Sequence, residues 1–192
     1  FFGSFYNSAQ ICIATKRMYV HEAIYDELLA EMSKLAKASR VGDGLEQGVM
    51  FGPIQNRPQY ERVLKLIEGA RAQGLTLIEG SAVPAGGGYF VPITLVDNPP
   101  EDSAVVTEEA FGPVVILSQF SDWHAALEEV NDSKFGLQAG IFTRDIHKVL
   151  DAWDGLDVGG VVVNDVSSYR VDNMPYGGVK DSGLGREGVR FA

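Results

Sequence analysis

The single cysteine, Cys12, is the residue of this sequence best suited to covalent chemistry. A lone cysteine between two isoleucines, Ile11 and Ile13, is often a small buried hydrophobic residue. Two features favour a nucleophile. Segment 5–17 is rich in Asn, Ser, Gln and Thr, and a helix starting near the cysteine would direct backbone N–H groups at a thiolate. On these residues alone, a nucleophile and a buried thiol both stay open.

A thiol hydrolase would pair the cysteine with an imidazole, and the three histidines give that idea little support. His21 lies near the start of a predicted helix. His124 and His147 fall in predicted surface helices among charged neighbours, where a solvated position is the usual explanation. A Cys–His dyad and a histidine metal site are therefore both disfavoured, and we predict no metal.

Two further clusters carry chemistry-bearing residues. Glu109 and Phe111 precede Gly-Pro and a predicted strand, so both side chains would project from the loop where the strand begins, although structural caps have the same pattern. Residues 183–188 spell G-x-G-x-x-G. A dinucleotide fingerprint must follow a strand and open a helix, which this segment does not, so a tight loop of close backbone approach is the preferred interpretation.

Hydrophobic periodicity supplies the elements that would position these residues. Apolar residues at three- and four-residue steps predict a helix over 21–40, and a second helix begins near Pro58 and is capped at Gly74. Strands are expected at 75–79, 89–96, 114–120, 138–143 and 160–164, and helices at 122–130 and 145–153. The later segments form a βαβαβ series with strands apolar at consecutive positions. This predicts an α/β fold, with a largely parallel twisted sheet flanked by helices on both faces, in one domain over residues 1–192.

Composition excludes several classes of protein. The chain has 192 residues, of which 45% are hydrophobic and 22% charged, as in folded globular domains. Its formal net charge of −10 disfavours nucleic acid and anionic membranes as partners, and no apolar run is long enough for a membrane helix. One cysteine excludes an internal disulfide and fits a reducing compartment, so the cytoplasm is the expected location.

Taken together, the clusters resemble the aldehyde dehydrogenase superfamily, in the order in which its catalytic half carries them. The resemblance spans essentially the whole sequence and rests on five motifs. They are the cysteine segment 5–12, the Glu-x-Phe-Gly-Pro segment 109–113, the Asn-x-x-x-aromatic-Gly-Leu segment 131–137, the strand 160–164 and the glycine-rich segment 175–187.

The resemblance implies a mechanism and a set of residue roles. Cys12 would attack an aldehyde, giving a hemithioacetal whose hydride passes to NAD or NADP and a thioester that water hydrolyses. Its own backbone N–H would help to hold the oxyanion. Glu109 would bind the ribose hydroxyls of the nicotinamide, and Phe111 would lie against the nicotinamide ring.

By the same resemblance, five positions would face the substrate: Ile11, Ile13, Asn164, Tyr169 and Arg170. Arg170 is the one cation of segment 165–173, and it would pair with an anionic group on a short aldehyde. Against this, Asp165 or Asp172 would neutralise it in a surface ion pair, and Ile11 stands where phosphate-handling relatives carry a second arginine. A small apolar or hydroxylated aldehyde is the other possibility.

The sequence also departs from the family pattern. Ala9 stands where the family usually has glycine, so a methyl group lies in the turn that aims the thiol. The nucleotide-binding half, with the general base and the oxyanion asparagine, and the C-terminal oligomerisation strand lie outside these residues. We therefore expect the catalytic domain of a longer, homo-oligomeric enzyme, inactive by itself. The competing hypothesis is a non-catalytic remnant that serves as a binding or structural module.

Overall fold

A computed structural model describes residues 1–191 of the chain. These residues form two compact units, Phe1–Ser121 and a second unit that begins at Asp122. Each unit has its own paired strands and its own buried core. The structure thus divides the predicted domain after Ser121.

Helices and strands alternate irregularly in the first unit. In chain order they are α1 (Phe2–Phe5), a 3₁₀ helix (Tyr6–Ala9), β1 (Arg17–His21), α2 (Glu22–Ala38), β2 (Arg40–Val41), β3 (Val49–Phe51), α3 (Arg57–Ala72), β4 (Thr76–Glu79), β5 (Thr94–Asp97), α4 (Ala104–Thr107) and β6 (Val114–Phe120). Four of the strands form a sheet in the order β1-β6-β5-β4. β6 runs parallel to both of its neighbours, β1 and β5, and β4 pairs antiparallel with β5.

The first four residues of β6, 114–117, are buried on both faces of the sheet, which explains why all four are apolar. Val115 and Leu117 pack in a core cluster with α2, whereas Val114 and Ile116 pack in a second cluster with α3. Each of these four side chains is at most 2% exposed. Burial of this kind contributes about 1.5–3 kcal/mol per side chain. The helices therefore cover both faces of a mostly parallel sheet, which confirms the predicted α/β class.

The two long helices begin and end where the sequence signals stand. The Asn56 side chain accepts a hydrogen bond from the Gln59 backbone N–H at 2.9 Å, and Pro58 lies in the first turn of α3. Gly74, with φ of +74°, follows the end of that helix. His21 caps α2 through its imidazole, which gives this histidine a structural role.

The second unit contains α5 (Trp123–Asn131), β7 (Phe135–Gly136), β8 (Gln138–Ile141), α6 (Ile146–Gly155), β9 (Gly160–Val163) and β10 (Val179–Lys180). β8 and β9 pair in parallel, and β7 and β10 pair antiparallel. Leu127, Ile141, Ala152 and Leu156 form the centre of its core. Among residues 1–191, no helix is both long and apolar enough to reach across a lipid bilayer.

One feature of the predicted sheet differs. The sequence predicts strands 114–120, 138–143 and 160–164 as a single βαβαβ series. All three strands are present, but β6 belongs to the four-stranded sheet, and β8 and β9 form a pair of their own. Periodicity along a chain locates strands without indicating their partners, and β6 pairs with β1, which lies almost a hundred residues earlier.

Candidate active site

Cys12 lies in a turn between the 3₁₀ helix and β1, and its side chain is exposed. The Ala14 N–H donates to the Ile11 carbonyl at 3.1 Å and closes this turn. No helix begins at the thiol, so the backbone donors considered from the sequence are those of a turn. Exposure contradicts the interpretation of Cys12 as a buried hydrophobic residue. Its neighbour Ile13 is buried, and Ile11 is half-buried.

The backbone just before the cysteine is left-handed at three successive residues, none of them glycine. Asn7, Ser8 and Ala9 have φ of 53°, 56° and 58°. An L-residue in this conformation costs roughly 1–2 kcal/mol, because its Cβ approaches the following carbonyl. Residues 7–12 are called the thiol loop below. Its geometry persists only where other contacts hold it.

Two buried or fully engaged side chains hold the thiol loop to the segment that precedes α3. The Ser8 hydroxyl, 3% exposed as a residue, donates to the Gly52 carbonyl at 2.9 Å. The Gln10 amide donates to the Pro53 carbonyl at 3.2 Å and accepts from the Gln55 backbone N–H at 2.9 Å. Both ends of this amide are therefore used two residues before the thiol. The sequence showed only that polar residues surround the cysteine, without indicating their partners.

Glu109 and Phe111 lie in the loop between α4 and β6. The Glu109 side chain is exposed and makes no hydrogen bond or ion pair with any of residues 1–191. Neither side chain caps a helix. Phe111 is half-buried, with a left-handed φ of 45°, and its carbonyl and that of Ala110 accept hydrogen bonds from the Gln59 side chain. An exposed carboxylate and a fixed aromatic ring, two residues apart, can bind hydroxyl groups and a flat heterocycle.

Lys16, directly before β1, binds the backbone of α4, and the sequence analysis did not single it out. Its ammonium donates to the Val106 carbonyl at 3.1 Å. Burial lowers the pKa of Lys16 to about 8, and the charge of Arg17 acts in the same direction, while Glu108 and Glu109 oppose both. Near neutral pH it supplies a positive charge beside these two carboxylates.

The other candidate residues lie in the second unit. Asn164 follows β9 with φ of 57°, and its side-chain oxygen accepts a hydrogen bond from the Thr143 N–H at 2.9 Å. Tyr169 is 46% exposed, and its carbonyl accepts a hydrogen bond from the Gln138 side chain at 2.6 Å. Both residues therefore contribute to the local framework.

Arg170 forms an ion pair with Glu187 at 3.3 Å, and its guanidinium lies 4.1 Å from the centre of the Tyr176 ring. The sequence-based alternative, neutralisation by Asp165 or Asp172, is wrong for the residues that the structure describes. The actual partner lies beyond Tyr176, on the segment whose backbone pairs with that tyrosine. The nearest acids in sequence are not the nearest in space.

Residues 183–188, called the glycine loop below, open no helix. Gly183, Gly185 and Gly188 have φ of 133°, 72° and 120°, which L-residues rarely adopt. A Cβ at Gly177 would stand 2.5 Å from the Gly185 carbonyl oxygen, so the backbones approach closely here. The interpretation as a tight loop, with no dinucleotide fingerprint, is confirmed.

Histidine and metal chemistry find no support. His124 and His147 are exposed on α5 and α6. Within the part of the chain that the structure describes, no group of three or more His, Cys, Asp or Glu side chains is placed to hold a metal ion.

The first unit therefore combines an α/β fold with an exposed, anchored cysteine and a Glu-x-Phe-Gly-Pro loop. The aldehyde dehydrogenase family matches residues 1–192, and the chain belongs to that family. This confirms the family resemblance identified from the five motifs.

Three known proteins show the extent of the similarity. The chain is 38% identical over 189 residues to 3-sulfolactaldehyde dehydrogenase of Priestia aryabhattai, covering 98% of this chain and 39% of that protein. It is 40% identical over 186 residues to phenylacetaldehyde dehydrogenase of Pseudomonas fluorescens, covering 95% and 37%. The NAD+ complex of a Bacillus cereus aldehyde dehydrogenase superposes with a TM-score of 0.92 at 35% identity, covering 98% and 38%. The chain thus spans about two fifths of the length of the relatives it matches.

Proposed function

We propose that this chain is the catalytic part of a longer, NAD(P)-dependent aldehyde dehydrogenase that oxidises an aldehyde to a carboxylic acid. The observation that carries the proposal is the exposed Cys12 on a strained loop fixed by Ser8 and Gln10. Strained backbone that buried contacts maintain is typical of functional sites. Family membership supplies the type of reaction.

In the proposed reaction, the Cys12 sulfur adds to the carbonyl carbon, so a C–S bond forms and the carbonyl π electrons move to oxygen. The backbone N–H of Cys12 stabilises the resulting oxyanion. Loss of hydride from the same carbon converts the hemithioacetal into a thioester. Water then forms a bond to the acyl carbon, and the C–S bond breaks to release the acid and the thiol.

The cofactor-facing side chains fit a nicotinamide nucleotide. Glu109 is exposed and makes no hydrogen bond or ion pair within residues 1–191, so its oxygens remain available for ribose hydroxyls. Phe111 presents a half-buried ring beside it. When bound, the nicotinamide supplies the hydride acceptor. We propose that the main nucleotide-binding contacts come from a region outside this chain, and that residues 1–192 alone do not turn over aldehyde.

The substrate is proposed only as an aldehyde. The names of the two similar enzymes indicate a sulfonated aldehyde for one and an aromatic aldehyde for the other. Ile11, Ile13, Asn164, Tyr169 and Arg170 stay the proposed substrate-facing positions. We also propose that the longer protein is a homo-oligomer and is located in the cytoplasm.

The test is Cys12→Ser in the longer protein. We expect the variant to fold and to lose aldehyde oxidation, because a hydroxyl is a far weaker nucleophile than a thiolate. The measurement is NAD(P)+ reduction over a panel of aldehydes, with circular dichroism as the check on folding. Near-normal turnover would remove the thiol from the mechanism. A wild-type protein that oxidises no aldehyde would favour the non-catalytic module instead.

A further inference from the structure

Helix α6 of the second unit exposes a stripe of apolar side chains. Ile146, Leu150 and Trp153 are 62%, 48% and 70% exposed. With 3.6 residues per turn, these three side chains lie within about 60° of one another around the helix axis. A neighbouring face of the same helix, which includes Ala152 and Leu156, packs in the core of the unit. The stripe is therefore additional to the face that folding buries, and exposed apolar patches of this kind mark interaction surfaces.

We propose that this stripe binds a second copy of the chain, with the two α6 helices packed antiparallel about a two-fold axis near Leu150. Homo-oligomers are usually symmetric, and a two-fold contact brings the same patch of each copy together. In this arrangement Leu150 of one helix meets Leu150 of the other, and Ile146 of each lies near Trp153 of the other. The inference rests on the homo-oligomer of the proposed function and is independent of the aldehyde chemistry.

The two ends of α6 carry opposite charges that suit antiparallel packing. Arg144 lies just before the helix and Asp154 lies in its last turn, and both side chains are exposed. Neither forms an ion pair within residues 1–191. At 1.5 Å per residue they are roughly 15 Å apart along the helix, so they cannot pair within one copy. Antiparallel packing brings Arg144 of each copy close to Asp154 of the other, which gives two ion pairs per contact.

A groove beside the C-terminal end of α6 adds further negative charge at the place where Arg144 of the second copy would lie. The groove has a volume of about 360 Å³, and among the described residues that line it are Glu128, Asp151 and Asp154 but no lysine or arginine. Because the formal net charge of the chain is −10, two copies repel each other at long range. Local attraction between Arg144 and these carboxylates therefore gives the contact its specificity.

The experiment exchanges the two charges in the longer protein. Arg144→Glu and Asp154→Arg each place like charges opposite one another, whereas the double variant restores both pairs with the charges reversed. Lys65→Glu is the matched control, because Lys65 is exposed on α3 and forms no ion pair in the part of the chain that the structure describes. Trp153→Ala tests the apolar stripe. Self-association is measured by sedimentation velocity over a range of concentrations, and circular dichroism checks folding.

We expect each single charge variant to weaken self-association by about tenfold or more, and the double variant to return to within about threefold of wild type. Trp153→Ala should weaken it by about a hundredfold, since a two-fold contact contains the substitution twice. Lys65→Glu should match wild type. An acid near the N-terminus of α6 and a cation near its C-terminus both favour the helix, so a less stable helix cannot explain weaker association of the single charge variants.

Single charge variants that associate like wild type, or a double variant as weak as either of them, would overturn the inference. A Trp153→Ala variant with a lower free energy of unfolding and unchanged self-association would also overturn it, because another region of the same chain would then cover the stripe. A wild-type protein that is monomeric at every concentration would overturn both the inference and the proposed homo-oligomer. Aldehyde oxidation by that monomer would still support the proposed catalysis, so the two failures are distinguishable.

Discussion

The thiol loop and the glycine loop both contain several left-handed residues, and they reach that conformation by opposite means. In the thiol loop the left-handed residues are 7–9, none of them glycine, whereas in the glycine loop they are all glycines. Ser8 and Ala9 are buried, and side-chain hydrogen bonds hold their segment. In the glycine loop, Leu184 is fully exposed.

This difference shows where the structure stores strain. Three left-handed L-residues cost roughly 1–2 kcal/mol each, while the hydrogen bonds of Ser8 and Gln10 contribute about 1 kcal/mol apiece. The thiol loop is thus held against its backbone preference by specific contacts. The glycine loop needs no such contacts, because glycine adopts positive φ readily. The loop that carries the proposed nucleophile is the one that contacts hold against its backbone preference.

The largest effects on stability are expected when a left-handed glycine is replaced by alanine, or a left-handed alanine by glycine. Gly185→Ala places a methyl group at φ of 72° with no heavy atom within 4 Å of its Cβ, so its whole cost is backbone strain. We expect the free energy of unfolding to fall by up to about 1.5 kcal/mol, because the lower freedom of alanine in the unfolded chain offsets about 0.5–1 of the roughly 1–2 kcal/mol of strain. Urea unfolding measures this change.

The reciprocal variant, Ala9→Gly, should change stability in the other direction. Relief of the strain at φ of 58° gains roughly 1–2 kcal/mol, and the greater freedom of glycine in the unfolded chain removes about 0.5–1 of it. A net gain below about 1 kcal/mol is expected in the same assay. Two changes of the same sign would contradict the comparison of the loops.

A smaller effect is expected in the pH dependence of stability, through Lys16. Burial lowers the pKa of Lys16, near the thiol loop, from 10.5 to about 8, so between these values the unfolded chain binds a proton that the folded chain does not. Stability contributed by this group therefore rises as pH increases from about 8 to 10.5. Lys16→Met should flatten that rise, as measured by urea unfolding at intervals of half a pH unit.

Two tyrosines limit the pH range over which stability rises. Burial raises the pKa of Tyr19 and Tyr25, so the folded chain keeps protons that the unfolded chain loses above about pH 10. Stability from these groups falls as pH increases further. Lys16→Arg is the control, because it keeps the charge and does not titrate in this range. A wild-type curve that Lys16→Met leaves unchanged would contradict the prediction.

The smallest effect is expected beside the glycine loop. Arg170→Ala removes an exposed ion pair with Glu187 and a contact with the Tyr176 ring, for an expected loss below about 1 kcal/mol. Because the guanidinium is already engaged, kcat/KM should change equally for matched anionic and neutral aldehydes. Glu187→Gln is the control that breaks the ion pair and keeps the cation. A loss confined to the anionic aldehyde would show that Arg170 pairs with the anionic group of the substrate.

Local signals in the sequence predicted much of the fold. Strand β6 has the predicted bounds, Pro58 lies in the first turn of α3, and α5 begins directly after Asp122. Short-range hydrogen bonds and burial on both faces decide these features, and both leave a trace in neighbouring residues. The pairing of strands leaves no such trace in neighbouring residues. The sequence therefore did not indicate that β8 and β9 pair apart from the sheet that contains β6.

The same distinction applies to the candidate site. Cys12, Glu109 and Phe111 were identified because short motifs carry them. Gln59 was not, since a polar residue in the first turn of a helix resembles an ordinary solvated position, and its acceptors lie about fifty residues later. The ion pair of Arg170 with Glu187 was not predicted, because the alternative considered only acidic residues close to Arg170 in sequence.

The pairing of β1 with β6 has a consequence for the order of events during synthesis. Arg17 of β1 pairs with Ile116, and Ser8 of the thiol loop binds Gly52. Both β1 and the thiol loop therefore bind residues that are synthesised later. Contacts of such long sequence separation form slowly, because the entropy of closing the intervening chain must be lost first. A nascent chain that ends before Val114 therefore lacks the strand with which β1 pairs. Cys12 is thus synthesised before the residues that hold its loop and pair with its neighbouring strand.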